Sequence, residues 1–156
     1  MPHNVTLAIQ RQDERQEALD AVVIPATDKQ RHDLGRAAVG QAWMTWSSSE
    51  ETSKTIKFML PQVAATESEW RTVLQGYRFA IRIADRHEAT ALSLPLPEQA
   101  GLDSREKEQA SVLYRCILEQ CQELNHIRHV RLLARDEREA ALYTGLTTGV
   151  QGEDQA

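Results

Sequence analysis

Two aspartates near the amino terminus have a spacing that could serve ligand recognition. Asp20 lies in the apolar segment 19–26 (LDAVVIPA), and Asp13 lies seven residues earlier, in the connection from the preceding strand-like segment. A carboxylate on such a connection can accept a hydrogen bond from an exocyclic amine, such as that of adenine. Asp13 is therefore a candidate for recognition of a base, and a solvated aspartate with no ligand is the alternative.

The remaining polar residues indicate neither metal binding nor a familiar catalytic motif. His126 and His129 form an HxxH pair at the start of a predicted strand, without a nearby acidic ligand, whereas a zinc site needs three or four ligands. The sequence also lacks the patterns GxSxG, GxxxxGK[ST], HExxH and GxGxxG, which mark hydrolases, phosphate loops, zinc proteases and dinucleotide-binding folds. We therefore predict no metal, no cofactor and no catalytic residue.

Two further groups of side chains have both a structural and a functional interpretation. Trp43 and Trp46 are three residues apart and would share a helix face, where core packing is expected and stacking on a ligand base or an interface contact are the alternatives. Four arginines follow one side of a predicted helix. We expect this side to be exposed to solvent, and the alternative is that it binds an acidic partner. The four arginines are Arg71, Arg78, Arg82 and Arg86.

Length and charge limit the possible classes of protein. A chain of 156 residues with 41% hydrophobic and 26% charged residues is typical of one globular domain. The net charge of -5 argues against nucleic-acid binding, which favours a basic surface, but backbone N–H groups can still hold a phosphate-bearing small ligand. No segment approaches the roughly 20 apolar residues of a membrane span, and residues 1–10 lack a signal-peptide pattern. We expect a cytoplasmic protein without a membrane partner.

The two cysteines, Cys116 and Cys121, match no zinc or redox spacing. Both fall on one predicted helix, where residues five apart do not share a face. We therefore expect two small buried side chains rather than a disulfide or a reactive pair.

Hydrophobic periodicity predicts alternating strands and helices. The order is β, β, α, β, α, β, α, β, α, which is typical of an α/β fold with a largely parallel sheet covered on both faces. Ligands of such sheets bind outside the carboxyl ends of the strands, here after Ile24, Leu60 and Leu96. Asp28 and either Thr66 or Ser68 are predicted helix N-caps. The predicted strands are 5–9, 19–26, 55–60, 89–96 and 127–134; the helices are 29–39 (broken near Gly35), 66–87, 104–124 and 136–146; segment 42–46 is ambiguous, and 147–156 is a polar, disordered tail.

The order and spacing of these segments resemble the macrodomain family, the ADP-ribose-binding fold, from about residue 5 to residue 146. Macrodomains open with a strand, a Gly-Asp-Ile/Val turn and an Asp-Ala-Ile-Val-Asn-Ala-Ala-Asn segment, and the spacing of the two family aspartates matches Asp13 and Asp20. Segment 57–61 (KFMLP) resembles the strand before the family's central helix, and 91–95 (ALSLP) resembles the strand before its second phosphate loop. The resemblance implies a three-layer α/β/α domain at residues 1–146 with a central, mostly parallel mixed sheet. The central helix pattern is Leu74, Tyr77, Ala80 and Ala84, and the last strand with its acidic exit is 130–137.

The resemblance also implies which residues contact a ligand. The family aspartate that Asp13 matches contacts the adenine amine, and the asparagine whose place Thr27 takes binds the distal ribose in hydrolytic members. Asp28 is the neighbouring polar residue, and Gly35 stands near the family's glycine-rich phosphate loop. The segment from Pro95 onward corresponds to the loop that embraces the diphosphate. The implied ligand-binding residues are Asp13, Thr27, Asp28, Gly35, Pro95 and Gly101.

The chain departs from the family pattern in these same loops. Segment 24–27 reads IPAT where the family has Asn-Ala-Ala-Asn, and 96–101 reads LPEQAG where the family has a Gly-Ile/Val-Tyr/Phe-Gly loop. Glycines in such loops let backbone amides approach phosphate closely. Glu98 would instead place a negative charge near the diphosphate. The departures predict a modified pocket.

Three functions are compatible with this combination of scaffold and loops. The first is binding of ADP-ribose or a related nucleotide without catalysis, and the second is a protein-contact role, as a homodimer or with another protein, without nucleotide binding. The third is an ADP-ribosyl hydrolase, for which Thr27 and Asp28 are the nearest polar candidates to hold an attacking water. A similar fold at the amino terminus of leucine aminopeptidases is a further alternative.

Overall fold

All described strands belong to one sheet. The structure is a computed structural model that describes residues 5–11, 21–45, 54–61, 66–97 and 104–155. The strands are β1 (Thr6–Arg11), β2 (Ala21–Pro25), β3 (Ala42–Thr45), β4 (Lys54–Phe58), β5 (Ala91–Pro95) and β6 (His129–Ala134). The helices are α1 (Asp28–Leu34), α2 (Glu67–Arg86), α3 (Ser104–Cys121) and α4 (Glu137–Gln155), with a 3₁₀ turn at Arg36–Ala38.

The sheet is mixed and mostly parallel, with the strand order β1-β6-β5-β2-β4-β3. Five strands run parallel, and β3 pairs antiparallel with β4 at one edge. Helices α1, α2 and α3 lie in the connections between β2, β4, β5 and β6, as crossover geometry requires, and the sheet lies within a layered α/β fold. The predicted α/β class and mostly parallel sheet are confirmed.

The core is formed where the central strands meet the apolar face of α2. Val23, Ile56, Leu92 and Leu132 on four neighbouring strands are all at most 1% exposed, because the inner strands of a parallel sheet are covered on both faces. The apolar positions of α2 recur at helical spacing and are buried, as the sequence predicts. They are Trp70, Val73, Leu74, Tyr77, Ala80, Ile81 and Ala84.

Helix α2 begins at a complete capping box. Thr66 Oγ1 accepts a hydrogen bond from the Glu69 amide (3.1 Å), and Glu69 Oε1 accepts one from the Thr66 amide (3.1 Å). These contacts satisfy donors that the first helical turn leaves unpaired. Thr66, one of the two predicted caps, is therefore the N-cap of α2.

Asp85 links the carboxyl-terminal end of α2 to the segment before β6 through hydrogen bonds. Its side chain is 8% exposed and accepts hydrogen bonds from the amides of Asn125, His126 (2.7 Å) and Ile127 (3.0 Å). Burial alone would raise the pKa of this carboxyl, but the three amide donors outweigh burial and lower the pKa. A buried carboxylate therefore sets where β6 starts.

Two local predictions, at segment 42–46 and at the start of α1, differ from the structure. Segment 42–45 is strand β3, whose backbone pairs with β4; the helix face proposed for Trp43 is therefore wrong, and Trp46 lies outside the described residues. Thr27, not Asp28, is the N-cap of α1, because the residue before the first helical turn is the one whose side chain reaches its amides.

Helix α4 continues to Gln155, past the predicted end at residue 146. Segment 147–155 contains no proline, so its backbone can continue the helical hydrogen bonds without an apolar face. The boundary between a domain at 1–146 and a tail at 147–156 stays a prediction. Within the described part of the chain, no helix is long and apolar enough to cross a membrane.

Candidate functional site at the carboxyl ends of the strands

The carboxyl ends of β2, β4 and β5 lie side by side at one edge of the sheet. Strand β2 is the middle one of the three. It leads into Thr27 and Asp28, β4 leads into Met59, and β5 leads into Leu96. The parallel topology thus brings together the three connections that the sequence identified as ligand-facing.

Helix α1 starts directly at the end of β2 and is fixed there by its own side chains. Thr27 Oγ1 accepts a hydrogen bond from the Gln30 amide (3.2 Å), and Gln30 Oε1 accepts one from the Thr27 amide (2.8 Å). The Ala26 amide also donates to the carbonyl of Phe58 (2.9 Å), which ties the start of the helix to β4. Thr27, a predicted ligand residue, therefore uses its hydroxyl oxygen to hold the helix.

A cavity of about 550 Å³ opens between α1 and the segment that follows it. Asp28, Arg31, His32 and Gly35 recur at spacings of three and four residues, so they share one side of the α1 segment. Asp28 and Gly35, two of the predicted ligand residues, are thus brought to one site. The lining residues are Asp28, Arg31, His32, Gly35, Arg36, Val39 and Met59.

Three basic side chains of this cavity were not identified from the sequence. Arg31 and His32 lie on α1, and Arg36 lies on the 3₁₀ turn that follows it. Arg31 and His32 lie three and four residues after Asp28, and this helical spacing could have identified them from the sequence. Arg36 joins them only because the chain turns at Gly35.

Gly35 produces that turn through its backbone conformation. Its φ is 73°, a value that residues with a Cβ rarely adopt, and a Cβ at this position would meet no atom within 4 Å. The residue is therefore glycine because of its left-handed backbone and not because a neighbour leaves too little room. The predicted break of the helix near Gly35 is confirmed.

On the other side of β2, the end of β5 is held by two side chains that contact its carbonyl groups. The Tyr77 hydroxyl donates to the Pro95 carbonyl, and Arg135 Nη2 donates to the carbonyls of Leu96 (3.2 Å) and Pro97 (2.5 Å). Burial raises the pKa of Tyr77 well above its usual range, so its phenol stays a donor. Pro95 therefore lies at the same edge as Asp28, but on a different strand end.

Arg135 is itself positioned by the start of α4. Its guanidinium lies 3.5 Å from Glu139 Oε2, and its amide donates to Glu139 Oε1 (2.9 Å). The Glu139 amide in turn donates to Asp136 Oδ1 (2.8 Å). This network holds the Arg135 guanidinium against the carbonyls of Leu96 and Pro97.

The remaining predicted ligand residues are not covered by the structure. Asp13 and Gly101 lie outside the described residues, so their contacts stay predictions, and the same holds for the charge that Glu98 is expected to place near the diphosphate. Within the ranges that the structure describes, no group of three or more histidine, cysteine, aspartate or glutamate side chains could hold a metal ion.

Comparisons with known proteins find similarity in structure but not in sequence. No family model matches the chain, and no curated protein matches its sequence. A solved Oceanobacillus iheyensis macrodomain with ADP is similar over 98% of this chain and 97% of its own, with a TM-score of 0.73 and 18% identity. A variant of that macrodomain with ADPR covers 97% of this chain and 98% of its own, with a TM-score of 0.69 and 16% identity.

A third solved structure is the Trypanosoma brucei macrodomain in complex with ADP. It covers 92% of this chain and 69% of its own length, with a TM-score of 0.61 and 11% identity. At these identities the likeness concerns the backbone arrangement, and it spans nearly the whole chain. From the strand order and these neighbours together, the chain has the macrodomain fold.

Proposed function

We propose that this protein binds ADP-ribose or a related nucleotide at the carboxyl ends of its parallel strands, without catalysing its conversion. The observation that carries the proposal is the 550 Å³ cavity at this edge, which brings Asp28 and Gly35 together. Two solved proteins of the same fold hold ADP, and a variant of one of them holds ADPR. Fold and cavity support the same class of ligand.

The proposed contacts divide the ligand between the loops. Asp13 accepts a hydrogen bond from the exocyclic amine of the base, and Asp28 accepts hydrogen bonds from ribose hydroxyls. Both roles require only an ionised carboxylate. Thr27 and Pro95 are the proposed contacts at the ends of β2 and β5, and Gly101 is a proposed contact in the segment that follows β5.

Binding without turnover is supported by the contacts of Thr27. Hydrolysis requires a water held beside the distal ribose in a reactive orientation. Thr27 is the hydroxyl that the resemblance implies at this place, and its oxygen already accepts the Gln30 amide at the start of α1. Its engagement in the helix cap favours a structural role for the residue that takes the place of the family's ribose-binding asparagine.

Calorimetric titration with ADP-ribose tests the proposal. The native chain is expected to bind with a micromolar dissociation constant, and Asp13→Ala and Asp28→Ala are each expected to weaken binding by about tenfold, the equivalent of one hydrogen bond to a charged group. Asp33→Ala is the matched control, because Asp33 is an exposed carboxylate of α1 outside the cavity lining. Absence of heat at millimolar ADP-ribose with the native chain would refute nucleotide binding.

A second candidate function is contact with an acidic partner protein through the exposed side of α2. A groove of about 570 Å³ is lined by Arg71, Arg78 and Arg82 together with Leu74, Gln75 and Phe79. Arginine and aromatic side chains are enriched in protein interfaces. Light scattering, a pull-down and calorimetry together distinguish the two candidates. A strict monomer with micromolar ADP-ribose affinity and no captured partner favours the nucleotide site, whereas a captured acidic protein or self-association without nucleotide binding favours protein contact.

A further inference from the structure

The cavity beside α1 has more basic than acidic side chains, in a chain whose net charge is negative. Arg31, His32 and Arg36 line it, against the single carboxylate of Asp28. The whole chain carries a net charge of -5. The positive charge is thus concentrated locally, where a concave surface strengthens its field.

These basic side chains have no acidic partner within the described part of the chain. No ion pair joins Arg31, His32 or Arg36 to a carboxylate there, although other arginines do form such pairs, as Arg71 does with Glu67 and Arg135 with Glu139. Asp28 lines the same cavity without pairing with them. The charges are therefore left to interact with whatever occupies the cavity.

The placement of the two arginines suits a phosphate group. A guanidinium presents several N–H donors in one plane and binds phosphate oxygens in pairs. Arg31 projects from α1, and Arg36 projects from the turn beyond Gly35, so the two approach the cavity from different segments. Two cations on separate segments can contact two phosphates, or two oxygens of one.

We infer that Arg31 and Arg36 hold the phosphate groups of the nucleotide through side-chain charge, with His32 beside them as a further hydrogen-bonding side chain. The inference rests on the proposed function and assigns one part of the ligand to named residues. Short polar loops hold phosphate through backbone amides, whereas here helix α1 occupies the segment after β2 and supplies cations instead. Asp28, in the first turn of α1, lines the same cavity and is the proposed contact of the ribose.

Titration of charge variants with ligands of different phosphate content tests this assignment. We expect Arg31→Gln and Arg36→Gln each to weaken the binding of ADP and of ADP-ribose by about tenfold, as expected for loss of one charge-assisted contact. Binding of adenosine, which has no phosphate, should change less than about twofold. Lys29→Gln is the matched control, because Lys29 is exposed on the same helix and outside the cavity lining.

Ionic strength provides a second measure on the native chain. Raising sodium chloride from about 50 mM to about 300 mM shortens the distance over which exposed charges attract each other. ADP-ribose binding should therefore weaken. The double variant R31Q/R36Q should show a clearly smaller salt dependence. Equal dependence in the native chain and the double variant would contradict a side-chain phosphate site.

A direct probe keeps the inference testable even if the double variant does not fold. Titration of the native chain with inorganic pyrophosphate, followed by nuclear magnetic resonance, should give saturable shifts of the Gly35 and Arg36 amides. No shift at tens of millimolar pyrophosphate would overturn the inference.

The outcomes separate this inference from the proposed function. If the native chain binds ADP-ribose and R31Q/R36Q binds it as tightly as Lys29→Gln, the phosphate assignment is wrong and nucleotide binding stands. If the native chain binds no ADP-ribose, the proposed function fails, and the assignment fails with it.

Discussion

The hydroxyl of Tyr77, in the middle of α2, donates a hydrogen bond to the main-chain carbonyl of Pro95 at the end of β5. Tyr77 is completely buried, and its ring meets the ring of Phe58 edge to face with centroids 5.0 Å apart. The central helix is thereby joined to the ends of β4 and β5, the two strands that flank β2 at the candidate site. The same helix that fills the core also positions the start of the loop after β5.

Tyr77→Phe is expected to lower the free energy of unfolding by about 1–2 kcal/mol, because it leaves a buried carbonyl without its donor. Urea denaturation monitored by circular dichroism measures the change. Tyr114→Phe is the control, since Tyr114 is also buried but has no hydrogen bond from its hydroxyl within the described residues. Equal stability of Tyr77→Phe and the native chain would contradict a contribution from this bond.

Arg135→Gln should release the chain after β5, because the guanidinium contacts the carbonyls of Leu96 and Pro97 and the carboxylate of Glu139. We expect a loss of about 1–2 kcal/mol in the free energy of unfolding, typical of losing charge-assisted bonds at a partly exposed group. A double-mutant cycle with Glu139→Gln should give a coupling energy of roughly 0.5 kcal/mol or more. Additive effects of the two changes would show that the contacts are independent.

Asp85→Asn should destabilise the fold by about 2 kcal/mol near neutral pH, because an amide replaces a carboxylate that accepts three backbone N–H groups. The pKa of Asp85 is lowered in the folded chain from its usual value of 3.8. The stability contributed by its ionised form is therefore present above that value and is lost as the pH falls through the lowered pKa.

Unfolding measured from about pH 6 down to about pH 2 should thus show the native chain and Asp85→Asn approaching each other at the acidic end. Asp33→Asn, at an exposed position of α1, is the control and should track the native chain. A stability difference between Asp85→Asn and the native chain that stays constant with pH would rule out the carboxylate as its source.

Three glycines should respond to alanine in different ways. At Gly40 the φ is 88°, and a Cβ would come within 2.8 Å of Thr72 Cγ2, so we expect a loss of more than about 2 kcal/mol. At Gly35 only the backbone is strained, because its φ of 73° and ψ of -174° lie in a region that is almost exclusive to glycine, and about 1–2 kcal/mol is expected. Gly145 lies within α4 with no atom near an added Cβ, so alanine there should stabilise by about 0.5–1 kcal/mol. Thermal unfolding of the three variants measures their order of stability.

Both cysteines should resist modification in the folded chain. Cys116 and Cys121 are free and buried, as the sequence predicted. Burial raises the pKa of Cys121 to about 12, and burial also raises that of Cys116, against the lowering effect of Arg78. Because the thiolate is the reactive form, a thiol reagent at mildly alkaline pH should react slowly with the folded chain and rapidly after denaturation. Fast reaction of the folded chain would contradict this burial.

Local patterns in the sequence were sufficient for most of the scaffold. The alternation of strands and helices predicted the parallel sheet, and Thr66 or Ser68 was predicted to cap α2, of which Thr66 is the N-cap. Such features depend on residues within one helical turn or one strand, so they can be read without the rest of the chain. The candidate site was predicted only in part: Asp28 and Gly35 were placed at the strand ends, but the three basic side chains beside them were not identified.

Contacts between distant segments were decided by the tertiary structure. Segment 42–45 became strand β3 because β4 supplies its hydrogen-bonding partners, and its own pattern was ambiguous. Tyr77 meets Pro95, and Arg36 joins Arg31 at one cavity, only after the chain has folded. The sequence by itself determined which segments form regular structure, because that depends on local spacing. The tertiary structure determined which side chains share a site, because strand pairing and the turn at Gly35 bring together residues that no local spacing relates.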